Sequence, residues 1–223
     1  MSTTLPTRSA NGGAADQAAP PSWGGLAVLL AGVFIVTLDF FIVNVAIPSV
    51  QQDFAAGPDA VQFVVAGFGL AYAAGLVPGG RLGDLFGRRR VYAIGLALFT
   101  LASLACGLAP GAGFLVAARV VQGLSAALLT PQVLAIINVV HTGRHRARAF
   151  SAFGLAIGFG GVFGQFIGGL LIHADVAGAG WRMIFLINVP VGVAVLAVLR
   201  RLVPETKSAD RARLDVPGSV LIG

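Results

Sequence analysis

Six long apolar runs constrain what this sequence can fold into more than any other feature. About 20 consecutive apolar helical residues are needed to cross the hydrocarbon core of a bilayer, which is about 30 Å thick. The six runs are Leu26–Ile47, Val61–Gly79, Val91–Ala109, Gly113–Val139, Phe150–Ile172 and Met183–Leu202. Of the 223 residues, 57% are hydrophobic and 11% charged, which is more apolar surface than one soluble core hides. The sequence therefore predicts an all-α, polytopic membrane helix bundle whose solvent is lipid.

The segments around these runs indicate the domain boundaries. Residues 1–22, rich in Ala, Pro, Ser and Gly, are typical of a disordered tail. Residues 23–203 form the predicted six-helix bundle, and residues 204–213 a linker. Residues 214–223 have the character of the start of a seventh span, so we expect a truncated N-terminal piece of a longer protein. The predicted turns are Gly57-Pro58, Gly80–Arg90, Pro110-Gly111, His141–Ala147 and Ala177–Gly180.

The basic residues predict the orientation of the bundle. If the N-terminus is cytoplasmic, all of the 15 Lys and Arg residues fall on the cytoplasmic side except Arg119, within the fourth span, and Arg182, outside. Such a bias sets the orientation of membrane proteins. The net charge of +6 is therefore a topology signal, and we expect a cell (inner or plasma) membrane protein that does not bind nucleic acid.

Two charged residues lie within predicted spans, Asp39 in the first and Arg119 in the fourth. A charge at a helix centre costs about 2.5–3.5 kcal/mol on insertion scales. The two lie about eight and six residues from the outer ends of their spans, at depths of roughly 12 and 9 Å, and so are predicted to face each other. Two interpretations stay open: a structural ion pair, or a proton or substrate site to which Gln122, one turn from Arg119, also belongs.

The segment after the second span reads Gly80-Arg-Leu-Gly-Asp84-Leu-Phe-Gly87-Arg88-Arg89-Arg90. Glycines at both ends permit a tight link between two helices, and a solvated basic loop is the alternative to a charge cluster that changes partners. The segment resembles G-x-L-x-D-x-x-G-R-[KR], the signature loop of the major facilitator superfamily. That resemblance implies a six-span N-terminal half of the major facilitator fold. It also implies that Gly80, Asp84, Gly87, Arg88 and Arg89 form a conformational latch.

Two further segments resemble the fourteen-span drug:proton antiporters of EmrB/QacA type. Residues 38–48, Leu-Asp-Phe-Phe-Ile-Val-Asn-Val-Ala-Ile-Pro, are similar to their first-span motif, with Phe41 in place of a Thr. Residues 181–192 match their sixth-span W-R-x-I-F-x-I-N-V-P-x-G. Residues 115–127, with Arg119, Gln122 and Gly123, resemble the superfamily's fourth-span motif R-x-x-Q-G, whose Arg is linked to proton transfer. The proton-coupling or substrate candidates are Asp39, Arg119, Gln122, Asn44 and Gln165.

The fifth span departs from the antiporter pattern. It is similar to G-x-x-x-G-P-x-x-G-G, but Gln165 occupies the proline position. Without proline we expect a straighter helix, and the glutamine amide is a candidate substrate ligand. The glycines give a flat face for close helix packing. These packing candidates are Gly160, Gly164, Gly168 and Gly169.

The resemblance implies a secondary active transporter that exports lipophilic drugs or similar small molecules in exchange for protons. The alternatives are an exporter or importer of a specific metabolite, and an inert truncated piece that lacks the C-terminal half. The expected partners are the lipid bilayer, protons, the substrate and that missing half. The sequence contains no phosphate-binding G-x-x-x-x-G-K-[ST] motif, and its histidines and the single Cys106 do not form a metal site, so we expect neither cofactor nor enzymatic activity.

Overall fold

The computed structural model describes residues 22–175 and 178–207, which form a bundle of α-helices. Five helices are α1 (Trp23–Phe54), α2 (Pro58–Phe86), α3 (Arg88–Gly107), α4 (Ala112–Val140) and α5 (Gly143–Ala174). The last span consists of a 3-10 turn (Gly180–Arg182), α6 (Met183–Leu186) and α7 (Asn188–Leu202). By length and composition, six spans of the described chain are able to cross a membrane, so the predicted all-α fold is confirmed. The predicted tail before Ser22 and the predicted seventh span lie outside the described residues.

The helices extend beyond the predicted apolar runs. α1 continues through Pro48 to Phe54, where Ala55 ends it in the left-handed conformation, and α5 begins at Gly143 rather than near Phe150. Apolar runs mark only the part of a helix that lies in hydrocarbon. The backbone hydrogen bonds continue into the polar residues at either end, which a search for apolar runs does not detect.

The prediction of turns at Gly80–Arg90 and His141–Ala147 is wrong for the same reason. α2 continues to Phe86 and α3 starts at Arg88, so Gly87, with φ of 103°, is the only residue between the two helices. Its N–H donates to the Gly83 carbonyl at 2.9 Å, and its own carbonyl accepts from Val91 at 3.0 Å. Gly80 lies inside α2 and does not form the link.

Small residues allow the helices of the bundle to approach closely. α4 packs between α2 and α3, and α1 packs mainly against α5. On α5, a Cβ added to Gly160 would lie 3.0 Å from the Phe34 carbonyl oxygen of α1, and one added to Gly164 would lie 2.9 Å from that of Leu38. A Cβ on Gly168 would lie 2.7 Å from the Ile42 side chain. These three glycines therefore bring α5 against the backbone of α1.

Gly169 does not belong to this packing face, contrary to the prediction. A Cβ added there would meet no described atom within 4 Å. The reason is helix periodicity: residues four apart lie on one face, and Gly169, which follows Gly168 directly, is rotated about 100° away from it.

Two buried apolar clusters flank the middle of the bundle. The α1 members of one cluster run from Leu26 to Val36, and those of the other run from Leu38 to Val50. Asp39 lies where the two clusters meet. The fold therefore places its buried acidic residue between two apolar cores.

Candidate functional site

Asp39 lies at the middle of the 32-residue α1 and has no exposed surface. The sequence predicts Asp39 about eight residues from the outer end of its apolar run, and α1 continues past that run to Phe54. Arg119, on α4, is also fully buried and forms an ion pair with the Asp39 carboxylate, in which Nη1 donates to Oδ2. The structure thus brings together the two charged residues that the sequence predicts to face each other.

The Arg119 guanidinium is held by three helices. Nη1 also donates to Gln122 Oε1 at 2.7 Å, and Nε donates to the Val64 carbonyl of α2 at 3.2 Å. The guanidinium carbon lies 4.3 Å from the centre of the Phe68 ring, a distance typical of a cation–π contact. These contacts fix both the position and the orientation of the positive charge.

The second carboxylate oxygen of Asp39 accepts from two amides. Gln122 Nε2 donates to Oδ1 at 2.9 Å and Asn188 Nδ2 at 2.8 Å. Both amide nitrogens also reach Ser103 Oγ of α3, at 2.7 Å and 3.3 Å respectively. A buried carboxylate that accepts one charged and two neutral hydrogen bonds is compensated in its ionised form. We call these five residues the Asp39 cluster: Asp39, Ser103, Arg119, Gln122 and Asn188.

The local sequence of α4 explains how this helix delivers its part of the cluster. Arg119 and Gln122 are three residues apart and so project from one face. Gly123 follows them where α4 crosses α2, and a Cβ there would lie 3.0 Å from the Phe68 Cα and closer still to its carbonyl oxygen. The glycine therefore lets the two helices approach until the guanidinium reaches both the Phe68 ring and the Val64 carbonyl.

A helix interruption positions Asn188. Pro190 has no N–H to donate to the carbonyl of Leu186, the residue four positions earlier. Leu186 is the last residue of α6, and Asn188 is the first of α7. The side chain of Asn188 points from this interruption to Asp39 and is 1% exposed.

Two members of the cluster were not predicted as site residues. Asn188 is one of several polar residues at membrane depth, and its place in the sixth-span motif, two residues before a proline, is the signal that distinguishes it. Ser103 lies in an apolar helix, and no motif or charged residue next to it in the sequence marks it as a site residue. Its role depends on how α3 is rotated against α4, which the sequence of α3 alone does not encode.

Asn44 and Gln165, two predicted candidates, lie outside the Asp39 cluster. Asn44 is exposed, and its amide donates to the Phe41 carbonyl at 3.1 Å. Gln165 is also exposed and lines an open groove of about 520 Å³ between α1 and α5, together with Phe41 and Ile157. The structure therefore separates a buried ionic cluster from a largely apolar exposed groove.

The predicted latch residues lie around the junction of α2 and α3. Asp84 and Arg88 form an ion pair of 2.8 Å across this junction. Gly87 adopts a backbone conformation that favours glycine, and a Cβ there would lie 2.7 Å from a carboxylate oxygen of Glu205. Gly80 lies one turn before Asp84, and a Cβ added there would lie 3.6 Å from Pro131 Cβ of α4, an ordinary van der Waals distance.

Glu205 is an unpredicted part of this charged region. It accepts from the Arg89 backbone N–H at 3.0 Å, and its other oxygen lies 3.6 Å from the Arg90 guanidinium. The Arg89 guanidinium donates to the Val203 carbonyl at 3.0 Å, and the Arg88 N–H donates to that of Thr206 at 3.0 Å. The segment that follows α7 is therefore attached to the start of α3.

A second charged contact closes the opposite end of the bundle. Asp53 Oδ2 accepts from Arg182 Nη1 at 2.7 Å and from Trp181 Nε1 at 3.1 Å. Arg182 Nη2 also donates to the Ala109 carbonyl at 3.3 Å. The Trp-Arg pair of the sixth-span motif thus connects the end of α1 to the connection between α3 and α4.

Comparison with known proteins identifies the family. The sequence model of the protein family described as the Major Facilitator Superfamily matches residues 29–221 of this chain. The chain is 43% identical over 200 residues to the probable actinorhodin transporter of Streptomyces coelicolor, covering 90% of this chain and 35% of that protein. It is 43% identical over 206 residues to the puromycin resistance protein pur8 of Streptomyces alboniger, covering 91% of this chain and 40% of that protein.

Among solved structures, a bacterial homolog of the human lysosomal transporter Spinster, inward-facing and unoccupied, superimposes with a TM-score of 0.73 at 23% identity. The match covers 88% of this chain and 47% of that one, and it shows the shared fold. The chain thus spans less than half the length of these related proteins. With the family model matching most of its length, and with relatives above 40% identity, this chain belongs to the Major Facilitator Superfamily.

Proposed function

We propose that the complete protein is a secondary active exporter that exchanges lipophilic drugs or similar small molecules for protons, and that this chain supplies its N-terminal half. The observation that carries the proposal is the fully buried ion pair of Asp39 and Arg119 within the bundle. Ionisable residues at membrane depth are expensive and commonly mark proton or substrate pathways. The names of the relatives, an antibiotic transporter and an antibiotic resistance protein, support the substrate class.

Asp39 is the proton acceptor in this proposal. Adding a proton to its carboxylate removes the negative charge that balances Arg119, which keeps its own proton at any physiological pH. A buried guanidinium without a counter-ion is strongly destabilised. The protonated and ionised forms of Asp39 therefore favour different arrangements of α1 against α4. A proton that binds the two arrangements with different affinity shifts the balance between them.

We place the substrate between this half and a second six-helix half, as in transporters built from repeats. In this arrangement the exposed groove with Phe41 and Gln165, and the nearby Asn44, face the substrate path. Asp84, Arg88 and Arg89 act as the latch, with Gly80 and Gly87 as its glycine positions, by exchanging charge partners as the halves move. The N-terminus lies in the cytoplasm of a cell-membrane protein, and the proposal includes no enzymatic step.

The test replaces Asp39 in the complete protein. We expect Asp39→Asn to insert normally but to lose proton-coupled efflux, because an amide does not take up a proton near neutral pH. The measurements are dye accumulation in cells and substrate-induced proton movement in inverted vesicles. Asp59→Asn is the matched control, since Asp59 is exposed at the start of α2. Normal proton-coupled efflux by the Asp39→Asn protein would refute the role of Asp39.

A second candidate function is the export of one specific metabolite. Relatives named as a probable actinorhodin transporter and a cephamycin export protein favour it, because each name refers to a single compound. A panel of unrelated lipophilic dyes and antibiotics separates the two functions. Protection against several unrelated compounds supports drug export, whereas protection against a single one supports the metabolite exporter. The chain expressed without the second half is expected to be inert in both cases.

A further inference from the structure

The side-chain oxygen of Asn188 is a buried acceptor without a partner among the described residues. The amide nitrogen of the same side chain makes two hydrogen bonds, to Asp39 Oδ1 at 2.8 Å and to Ser103 Oγ at 3.3 Å. Almost all buried polar atoms in proteins are hydrogen-bonded, and an exception calls for an explanation. Here the unsatisfied oxygen belongs to a group that already contacts the proposed proton acceptor.

The contacts of Asp39 suit only one of its two protonation states. An ionised carboxylate accepts hydrogen bonds, and each polar contact that the structure gives Asp39 is with a donor: Arg119, Gln122 and Asn188. A protonated carboxylic acid carries an O–H, which needs an acceptor. In the arrangement described, a proton on Oδ1 would face the two amide N–H donors, and a proton on Oδ2 would face the Arg119 Nη1 donor. One of the neighbours must therefore present an acceptor when Asp39 binds a proton.

Asn188 is the neighbour whose acceptor oxygen has no partner among the described residues. Arg119 has no acceptor atom. Gln122 has one, but its Oε1 already accepts from Arg119 Nη1 at 2.7 Å and from the Cys106 thiol at 3.6 Å. Rotating Gln122 would break both of these bonds, whereas rotating Asn188 releases no bond made by its own oxygen within the described chain.

We propose that Asn188 is a positioning residue whose side-chain amide rotates by half a turn when Asp39 is protonated, so that its oxygen accepts the new Asp39 O–H. The proton comes from the aqueous phase and bonds to a lone pair of the Asp39 carboxylate. No other covalent bond changes, and the charge of the cluster rises from zero to plus one. Ser103, whose hydroxyl both donates and accepts, is able to bond the amide in either orientation. This inference rests on the proposed role of Asp39.

The surroundings of the amide are compatible with this exchange. Among the described residues, the charged and titratable groups beside Asp39 at this cluster are Arg119 from α4, which pairs with Asp39, and the Cys106 thiol from α3, which lies 3.6 Å from Gln122 Oε1. The aromatic rings of Phe68 from α2 and Phe185 from α6 cover the guanidinium, at 4.3 Å and 5.6 Å from its central carbon. With no second carboxylate among these contacts, the added proton is assigned to Asp39.

Infrared difference spectroscopy on the complete protein in lipid vesicles, recorded between high and low pH, tests the rotation. We expect a carboxylic acid C=O band from protonated Asp39, and an asparagine amide C=O band that changes with the same pH midpoint. Labelling asparagine side chains with ¹³C identifies the amide band in the wild-type protein. If no asparagine band changes with the acid band, the proposal is overturned, whatever the variants do.

Asn188→Leu, which has a similar shape but neither donor nor acceptor, gives the second readout. If the amide rotates in the wild-type protein, the Asn188→Leu variant lacks one hydrogen bond to Asp39 in each of its two protonation states. The acid band then moves to higher frequency, and the midpoint moves by less than one pH unit. A fixed donor, which bonds the ionised carboxylate more strongly than the acid, instead predicts a midpoint raised by about one pH unit or more. That shift is tenfold tighter proton binding, and it contradicts the rotation.

Two further variants separate this inference from the proposed function. Asn138→Leu removes an exposed asparagine outside the Asp39 cluster, so its acid band is expected to match that of the wild type. Asp39→Asn is expected to remove the acid band. A band that persists in Asp39→Asn means that Asp39 is not the proton site, and the proposed function fails with the inference. If the acid band is lost in Asp39→Asn but the spectra of Asn188→Leu match those of the wild type, the rotation of Asn188 is overturned and the role of Asp39 stands.

Discussion

The Arg119 guanidinium contacts groups from its own helix and from two others. Its contacts are the Asp39 carboxylate of α1, the Val64 carbonyl and Phe68 ring of α2, and Gln122 of its own helix. A planar guanidinium makes these contacts in several directions at once, whereas a lysine ammonium is a single compact donor group. At this position the two basic residues are therefore not equivalent.

We predict that Arg119→Ala destabilises the complete protein by about 3–5 kcal/mol, because it leaves the Asp39 carboxylate buried without its counter-ion. Arg119→Lys is expected to lose less, since the ammonium still pairs with Asp39 but does not reach the Val64 carbonyl in the same geometry. Thermal unfolding in detergent measures both. The double variant Asp39→Asn/Arg119→Ala should be more stable than Arg119→Ala alone, because it no longer buries an unpaired charge. Equal effects of Ala and Lys, together with strictly additive effects in the double variant, would contradict a direct interaction.

The charged residues of the Asp39 cluster are predictable from the sequence, but the neutral residues Ser103 and Asn188 that complete it are not. Asp39, Arg119 and Gln122 stand out because charge within an apolar run is costly, and because Gln122 lies one turn from Arg119. Ser103 and Asn188 are ordinary polar residues in apolar helices, where a structural role is the common one. Which of them reaches a carboxylate depends on the rotation of α3 and on the interruption before α7, and both are set by tertiary packing.

At the scale of the element, α5 shows how glycine spacing determines which helices touch. Gly160, Gly164 and Gly168 recur at intervals of four and contact α1, whereas Gly169 contacts no described atom within 4 Å. The sequence predicts the interface through this spacing but misassigns its last member, because adjacent glycines cannot share one helix face. The turn prediction at Gly80–Arg90 fails at the same scale, since polarity marks the end of the apolar run and not the end of the helix.

Gly164→Ala is therefore predicted to destabilise the chain by about 1–3 kcal/mol, because its Cβ would lie 2.9 Å from the Leu38 carbonyl oxygen and force α5 away from α1. Gly169→Ala is the matched control from the same motif. It is expected to be neutral or to stabilise the helix by up to about 1 kcal/mol, since alanine is the better helix former. Thermal unfolding of the 223-residue chain in detergent compares them. If Gly169→Ala destabilised the chain as much as Gly164→Ala does, Gly169 would have to pack closely against another helix.

At the scale of the whole molecule, the ion pairs of the described residues lie at the two ends of the bundle, apart from the buried Asp39–Arg119 pair in its middle. The end at which α2 meets α3 has the Asp84–Arg88 pair and the Glu205 contacts with Arg89 and Arg90. The other end has the Asp53–Arg182 pair. Because six antiparallel spans alternate in direction, the connections at Gly87 and Thr142 share one end, while that at Gly111 lies at the other. The excess of basic residues at the first end is the basis for proposing that it faces the cytoplasm.

Labelling of an introduced cysteine tests this orientation with little interference, because Cys106, the one cysteine of this sequence, is fully buried. Gly111→Cys is suited to one end, since Gly111 has extended backbone and a Cβ there would meet no described atom within 4 Å. Thr142→Cys is suited to the other, since Thr142 is exposed and its side chain makes no capping bond to α5. We expect a membrane-impermeant maleimide to label Gly111→Cys in intact cells, and Thr142→Cys only after the membrane is permeabilised. The reverse pattern would place the basic end outside. That outcome would contradict the proposed cytoplasmic N-terminus, whereas the buried ion pair of Asp39 and Arg119 does not depend on the orientation.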